Sequence, residues 1–369
     1  MDIEIPRRLW YDNSTSTISL PDKWDVRVLT MQGRDRPPLS SEGIEHAVKN
    51  PIGSARLSEL ARGKSSAVII FDDITRPTRI SDIAPAVIRE LVAGGMDEED
   101  ITFVAALGNH GAHTHHEFRK KLGPAITERF AVFNHNPYDH CTYVGTTSRG
   151  TKLSVNREVM EADLRIGIGC VTAHINVGFS GGGKIVLPGV ASIESAAHLH
   201  IHVKAMAPET TGPGTGEENV LRQEIDEAAR MAGRHFKVDA IVNERGQTTA
   251  LFAGDPHEEH KRAVELAREV YSVGPRPERC KLVIANAFVK ANEMFIAARI
   301  GASALTDGTG TVVLVVDSPE GQVPHYLQRT FGRAHGGRQM SPTEIPKGVR
   351  IIIVAPQWDV TSTDWIKNR

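Results

Sequence analysis

Two short apolar runs, Ala67–Phe71 (AVIIF) and Ile101–Leu107 (ITFVAAL), separated by one helical stretch, constrain this chain more than any other feature. Each run is continuously apolar rather than alternating, as a strand covered on both faces must be. The intervening stretch Ser81–Val92 has a serine at one end and Gly94 and Gly95 at the other, which are residues that cap helices. Strand, helix and parallel strand make one βαβ unit. Open sheets of this kind bind ligands beyond the carboxyl ends of their strands. That edge receives Asp72, Asp73, Ile74, Thr75, Arg76 and Pro77 after the first run, and Gly108, Asn109 and His110 after the second.

The rest of the chain extends this pattern. Residues 1 to 65 suggest a short hairpin and a helix near Ser41–Val48. Thr114 and Glu117 form a capping box, which makes His115 and His116 first-turn surface residues. A strand at Phe130–Phe133, a hairpin around Gly150, a short helix opened by Asn156 and a buried strand at Leu164–Thr172 follow. Ala207–Gly216 is rich in Pro, Gly and Thr and predicts a mobile loop. A helix then presents Leu221, Ile225 and Ala228 on one face. A hairpin of Phe236–Asn243 with Thr248–Phe252 precedes an amphipathic helix at His257–Tyr271. Ser272–Arg279 is the best domain boundary, because strand and helix patterns restart beyond it: Leu282–Ala285, Ala291–Leu305, Thr311–Val316 and Ile351–Val354. The expected class is α/β, with two α/β domains, residues 1–272 and 273–369, whose largely parallel Rossmann-like sheets flank a central active-site cleft.

Composition narrows the partners. A formal charge of −2 over 369 residues gives no electrostatic case for nucleic acid or a membrane surface. No apolar run is long enough to span a bilayer. Cys141, Cys170 and Cys280 are few and widely spaced, which fits a reducing compartment, and the cytoplasm is the expected location.

Chemistry concentrates between Ala173 and His202. Gly178 and Gly183 precede Lys184 with the spacing of a phosphate-cradling loop, but Ile185 stands where a hydroxyl would meet magnesium. Gly181, Gly182 and Gly183 let backbone approach a ligand. His198, His200 and His202 share one face of a strand but diverge on a helix, and the small residues before them favour helix, leaving one facing inward. Arg76 is either a local ion-pair partner of Asp72 or Asp73, or a fork for a carboxylate or phosphate.

Three functions compete on the residues. A nucleotide phosphate-binding enzyme is weakened by Ile185. A zinc-dependent hydrolase would use His110, His113, His115 and His116, but these lack the H-E-x-x-H spacing. A cofactor enzyme would combine the glycine loop and Lys184 with one histidine as metal ligand and His110 and His174 as an acid/base pair. Only this last reading uses every cluster.

The string Asp72 to Thr78 (DDITRPT), the Gly108-Asn109-His110 turn, His174, and Gly181 to Gly189 (GGGKIVLPG) with His200 sixteen residues after the lysine together resemble the nickel-pincer-nucleotide lactate racemase family. The likeness runs in order through most of the chain. It implies a racemase or epimerase of a small 2-hydroxy acid. The implied cofactor is a nickel-pincer nucleotide (pyridinium-3,5-bisthiocarboxylic acid mononucleotide nickel) tethered at Lys184, with His200 as the protein ligand to nickel; imidazole suits that metal. It also implies His110 and His174 as acid/base residues, Arg76 on the substrate carboxylate, and Asp72, Asp73, Thr75, Gly182, Gly183 and Trp358 near the nucleotide. The implied reaction takes the hydroxyl proton, moves a hydride to the cofactor and returns it to the other face of a keto acid. Cofactor-assembly enzymes are implied partners. Where the lactate enzymes carry Gln and Lys facing the substrate, this chain has Ile296 and Arg299. That change predicts an altered pocket, since isoleucine donates no hydrogen bond. A non-catalytic cofactor carrier would need Lys184 and His200 but not both His110 and His174.

Overall fold

The structure is a computed structural model and describes residues 1–12, 14–233, 236–275, 277–327, 347–360 and 362. It divides into two compact units, Asp35–Ser272 and a second made of Met1–Arg34 with Val273–Arg369.

In the larger unit six strands form one sheet: β1 (Ala67–Asp72), β2 (Ile101–Ala106), β3 (Ala131–Asn134), β4 (Leu164–Cys170), β5 (Phe236–Val242) and β6 (Thr248–Gly254). Their order is β6-β5-β4-β1-β2-β3. All neighbours are parallel except β5 and β6, the expected hairpin. The chain winds outward from β1 through β2 to β3, then returns to lay β4 on the other side of β1. The point of reversal therefore lies between β1 and β4, where such sheets hold ligands. Both faces of β1 are covered, which explains its unbroken apolar run. Ile69 and Phe71 face one core with Ile80, Ile83, Val87 and Leu91; Val68 and Ile70 face another with Leu153, Val186, Leu187 and Ile225.

The structure departs from the sequence expectation in three places. The helix after β1 runs Ile80–Ala93 and has Arg79, not Ser81, at its cap position; Ser81 lies within the first turn with its hydroxyl on Asp82. Between β4 and the glycine loop the chain makes a small hairpin, Ala173–His174 against Val177–Phe179, closed by Ser180 N–H on the Thr172 carbonyl at 2.8 Å. The Pro/Gly/Thr-rich link is not a free loop. Its Gly212–Pro213 pairs with Val177–Gly178, and the Arg268 guanidinium holds the Gly214 carbonyl at 2.7 Å.

The smaller unit has a three-stranded parallel sheet, with Gly310–Val315 between Leu282–Asn286 and Val349–Val354. Helix Met294–Ser303 covers it through Met294, Ala297 and Ala298. The expected single helix over Ala291–Leu305 is preceded by a separate 3-10 segment, Phe288–Glu293, kinked at Lys290. The first residues, expected with the N-terminal domain, group with this unit. Arg7 pairs with the buried Asp317, and Asn286 donates to the Pro6 carbonyl at 2.8 Å. Among the described residues no helix is long and apolar enough to cross a membrane.

Candidate active site

The loop after β1 is held from inside. Asp73 is buried; its Oδ1 accepts from the Thr75 N–H (3.2 Å) and hydroxyl (2.6 Å), and its Oδ2 meets Nδ1 of His110 in a short hydrogen bond. Burial raises the Asp73 carboxyl. The His110 charge and hydrogen bond, with Arg76 and His113 beside it, outweigh that and hold it well below the ordinary carboxylate range. Arg76 Nη1 donates to the Thr75 hydroxyl at 2.9 Å. Asp73, Thr75, Arg76 and His110, singled out separately in the sequence, thus form one connected group.

Asp72 points elsewhere. It accepts from the Lys121 ammonium (2.6 Å) and the Thr78 hydroxyl (2.5 Å). Lys121 is fully buried, and its Nζ also donates to the carbonyls of Arg76 (3.1 Å) and Thr78 (2.9 Å). Three protons meet three acceptors, so this lysine fixes the backbone that presents Arg76. Sequence reasoning missed it, because nothing in the helix His115–Leu122 marks position 121 as buried.

His174 sits at the turn of the small hairpin. Its Nδ1 accepts from the N–H groups of Asn176 (3.2 Å) and Val177 (3.4 Å). Lys204 reaches across from the following helical segment to the Asn176 side chain at 2.9 Å.

The glycine loop does not form the expected cradle of inward-facing amides at Gly182. That N–H donates to Oδ2 of Asp239 on β5 at 2.7 Å, and His260 Nε2 donates to the Ser180 carbonyl at 2.9 Å. A Cβ on Gly182, whose φ is +55°, would lie 2.7 Å from His260 Cγ. One on Gly183 would lie 3.0 Å from Ala229 and from the Ile225 carbonyl. These glycines let the loop press onto the protein itself. The loop delivers Lys184, partly buried, in a 3-10 turn at Gly182–Ile185. Asp239 is paired with Lys237, both fully buried in an otherwise apolar strand, above Gly167 and Gly169 of β4. Sequence reasoning missed this pairing, although two charges at i, i+2 opposite two strand glycines are a signal of volume left for side chains.

The histidine triplet is helical, in an α-turn Ile193–His198 continued by a π-turn Leu199–Val203, so its members diverge. His198 faces the Thr151 hydroxyl at 2.9 Å and His202 is exposed. His200 turns inward, its Nδ1 donating to the Ala196 carbonyl at 2.8 Å. Burial pushes its imidazole down to about 4; the carbonyl opposes this, while the charges of Lys184, Lys204 and His110 lower it further. The ring is therefore neutral near pH 7 with its lone pair on Nε2, the form that ligates a metal. Donor chemistry at this position fits a nickel-bearing group.

His113, His115, His116, Ile296, Arg299 and Trp358 are the remaining expected site residues. His113 is buried and accepts from the Ile74 N–H at 3.0 Å, while His115 and His116 are exposed on the first helical turn behind the Thr114 capping box. The hydrolase cluster is therefore split: the Ile74 N–H occupies the His113 lone pair, and the capped turn carries His115 and His116 to the surface. Ile296 and Arg299 belong to the smaller unit, on the helix face away from Met294, Ala297 and Ala298; Ile296 is half-buried and Arg299 exposed. Trp358 is half exposed.

The fold and site define an α/β enzyme with its functional groups at the strand-order reversal of a parallel sheet. Residues 11–212 match the family described as lactate racemase N-terminal domain. The chain belongs to the lactate racemase family and is an isomerase. It is 27% identical over 367 residues to the lactate racemase of Thermoanaerobacterium thermosaccharolyticum, covering 97% of this chain and 84% of that protein. It is 33% identical over 267 residues to the lactate racemase of Lactiplantibacillus plantarum, covering 71% and 62%. Its fold matches the lactate racemase apoprotein structure from T. thermosaccharolyticum with a TM-score of 0.75 at 23% identity, over 100% of this chain and 91% of that one. A Thermotoga maritima protein of known structure matches at TM-score 0.57 and 24% identity, over 75% and 71%.

Proposed function

We propose that this chain racemises or epimerises a small 2-hydroxy acid, lactate or a relative with a larger apolar side, using a nickel-pincer nucleotide tethered at Lys184 and ligated by His200. The observation that carries the reading is the His200 imidazole: its Nδ1 proton is committed to Ala196, its Nε2 lone pair is available at neutral pH, and Lys184 and His110 lie close enough for their charges to act on it.

The nickel-pincer nucleotide, when bound, supplies a hydride acceptor, which lets the carbon centre pass through a planar keto acid. The chain's own residues do the rest. Arg76, its backbone fixed by Lys121 and its guanidinium steadied by Thr75, binds the substrate carboxylate. His110 takes the hydroxyl proton on Nε2 while its Nδ1 stays on Asp73. His174 faces the same oxygen for the opposite enantiomer. Ile296, which donates no hydrogen bond where the lactate enzymes carry Gln, and Arg299, where they carry Lys, are the reason to expect a substrate bulkier than lactate. The free thiols Cys141, Cys170 and Cys280 are consistent with a cytoplasmic enzyme, loaded there by cofactor-assembly enzymes.

Intact mass and metal analysis of the protein produced alongside those assembly enzymes, with Lys184→Ala as control, tests this reading. The expected result is a nickel-bearing adduct that maps to Lys184 and is absent from the control, together with conversion of one lactate enantiomer into the other. An unmodified chain holding zinc or no metal would overturn it.

A further inference from the structure

Three histidines of the site are sorted by what their Nδ1 atoms face. His110 Nδ1 faces the Asp73 carboxylate and His200 Nδ1 faces the Ala196 carbonyl. Both oxygens only accept, so each ring in its neutral form carries its hydrogen on Nδ1 and presents Nε2 as acceptor. His174 is the opposite case. Its Nδ1 faces the backbone N–H groups of Asn176 and Val177, which only donate. A proton on that nitrogen would set donor against donor, so the neutral ring carries its hydrogen on Nε2.

We infer that His110 and His174 are not interchangeable. This rests on the function proposed above, in which both face the reacting hydroxyl. His110 is the ready proton acceptor. A proton leaving the substrate hydroxyl bonds to Nε2, the ring becomes imidazolium, and the charge is held by Asp73 with no rearrangement. His174 rests as a neutral hydrogen-bond donor that orients the substrate oxygen. To accept a proton on Nε2 it must first release the hydrogen there and take one from solvent on Nδ1. That exchange gives up both backbone hydrogen bonds. The enzyme therefore has one histidine set for proton removal and one that must change tautomer first, although the mirror-image reactions look symmetrical.

The local sequence explains the difference. His174 begins a two-residue turn whose amides at 176 and 177 have no strand partner on the ring side, so the imidazole caps them as an aspartate would. Val177 continues into the strand Val177–Phe179, and Lys204 pins the Asn176 side chain from outside. The turn is thus built to keep those N–H groups aimed at the ring. At Nδ1 of His110 the Asp73 carboxylate stands instead.

Long-range 1H–15N correlation spectra of the full chain labelled with 15N-histidine read each tautomer directly and need no turnover. The measurement is made at pH 8.5, well above the roughly 6.5 of a free imidazole, on protein as purified and again after cofactor loading. His110→Gln, His174→Gln and His200→Gln identify the signals by their loss. His135 and His260, whose Nε2 atoms donate to the carbonyls of Ala191 and Ser180, serve as internal standards for the Nε2–H form. We expect His110 and His200 in the Nδ1–H form and His174 in the Nε2–H form. His174 in the Nδ1–H form, or His110 and His174 in one common form, would overturn the inference. The stated tautomers in a protein that loads no cofactor and racemises nothing would support the assignment while sinking the functional reading, so the two fail separately.

Discussion

Asp73→Asn is the sharpest single test of how the site works. The side chain keeps its size, and its orientation is dictated by Thr75, whose N–H at 3.2 Å can only donate to the amide oxygen. The amide nitrogen must then face Nδ1 of His110, where the carboxylate oxygen was. An NH2 group donates, so His110 must accept on Nδ1 and move its own hydrogen to Nε2, the atom that needs a lone pair. The same swap behind the histidine of a serine-protease triad costs about 10^4 in kcat through the wrong tautomer. Here the expected loss is about 10^2 to 10^4 in kcat, roughly 3 to 5 kcal/mol of transition-state stabilisation. Stability should move much less, by about 1 to 2 kcal/mol, because both Thr75 contacts survive and one buried charge disappears. Racemisation of lactate would be followed by chiral chromatography, with cofactor content at Lys184 measured by mass on the same samples. Turnover within about threefold of the parent at equal loading would refute the argument that Asp73 sets the His110 tautomer.

Three further outcomes are expected. Lys121→Met leaves the Asp72 carboxylate without its buried partner and should cost about 3 to 5 kcal/mol in urea denaturation, whereas the double variant with Asp72→Asn should recover more than half of it; equal losses would argue against the pair. His135 and His260 are each pushed down to about 4 by burial, against 6.5 for a free imidazole. The unfolded chain therefore binds more protons between those values, so their contribution is complete above pH 6.5 and is lost as pH falls toward 4, by about 3 kcal/mol for each histidine; denaturation midpoints at pH 7 and 5 for the parent and His135→Gln check this, and an unchanged pH slope in the variant would count against it. Gly182→Ala forces a side chain into the left-handed region against His260 and should lower the Tm by several degrees while reducing the fraction of chains modified at Lys184; a fully loaded, equally stable variant would mean the loop can move aside.

The parallel α/β architecture was legible because burial on both faces leaves a mark in one dimension. β1 and β2 are nearly pure apolar runs, and the residues at their ends are polar because they leave the core together. The glycine loop was visible too, but its purpose was not. Its amides could have faced a ligand; only the tertiary structure shows that the Gly182 amide meets Asp239 and the Ser180 carbonyl meets His260. Lys121 was hidden for a related reason. A buried ammonium is tolerated only where acceptors converge on it, and those acceptors come from segments 43 to 49 residues away for Lys121.

By itself the sequence determined the strand-helix order, the edge of the sheet that carries chemistry, and the residue types gathered there, since these follow from local periodicity and from where polar residues interrupt it. Tertiary structure alone decided what each functional group does. A histidine is the same letter at 110, 174 and 200, but whether its Nδ1 meets a carboxylate, two amides or a carbonyl depends on chain segments brought together only by folding, and that contact fixes which nitrogen holds the proton.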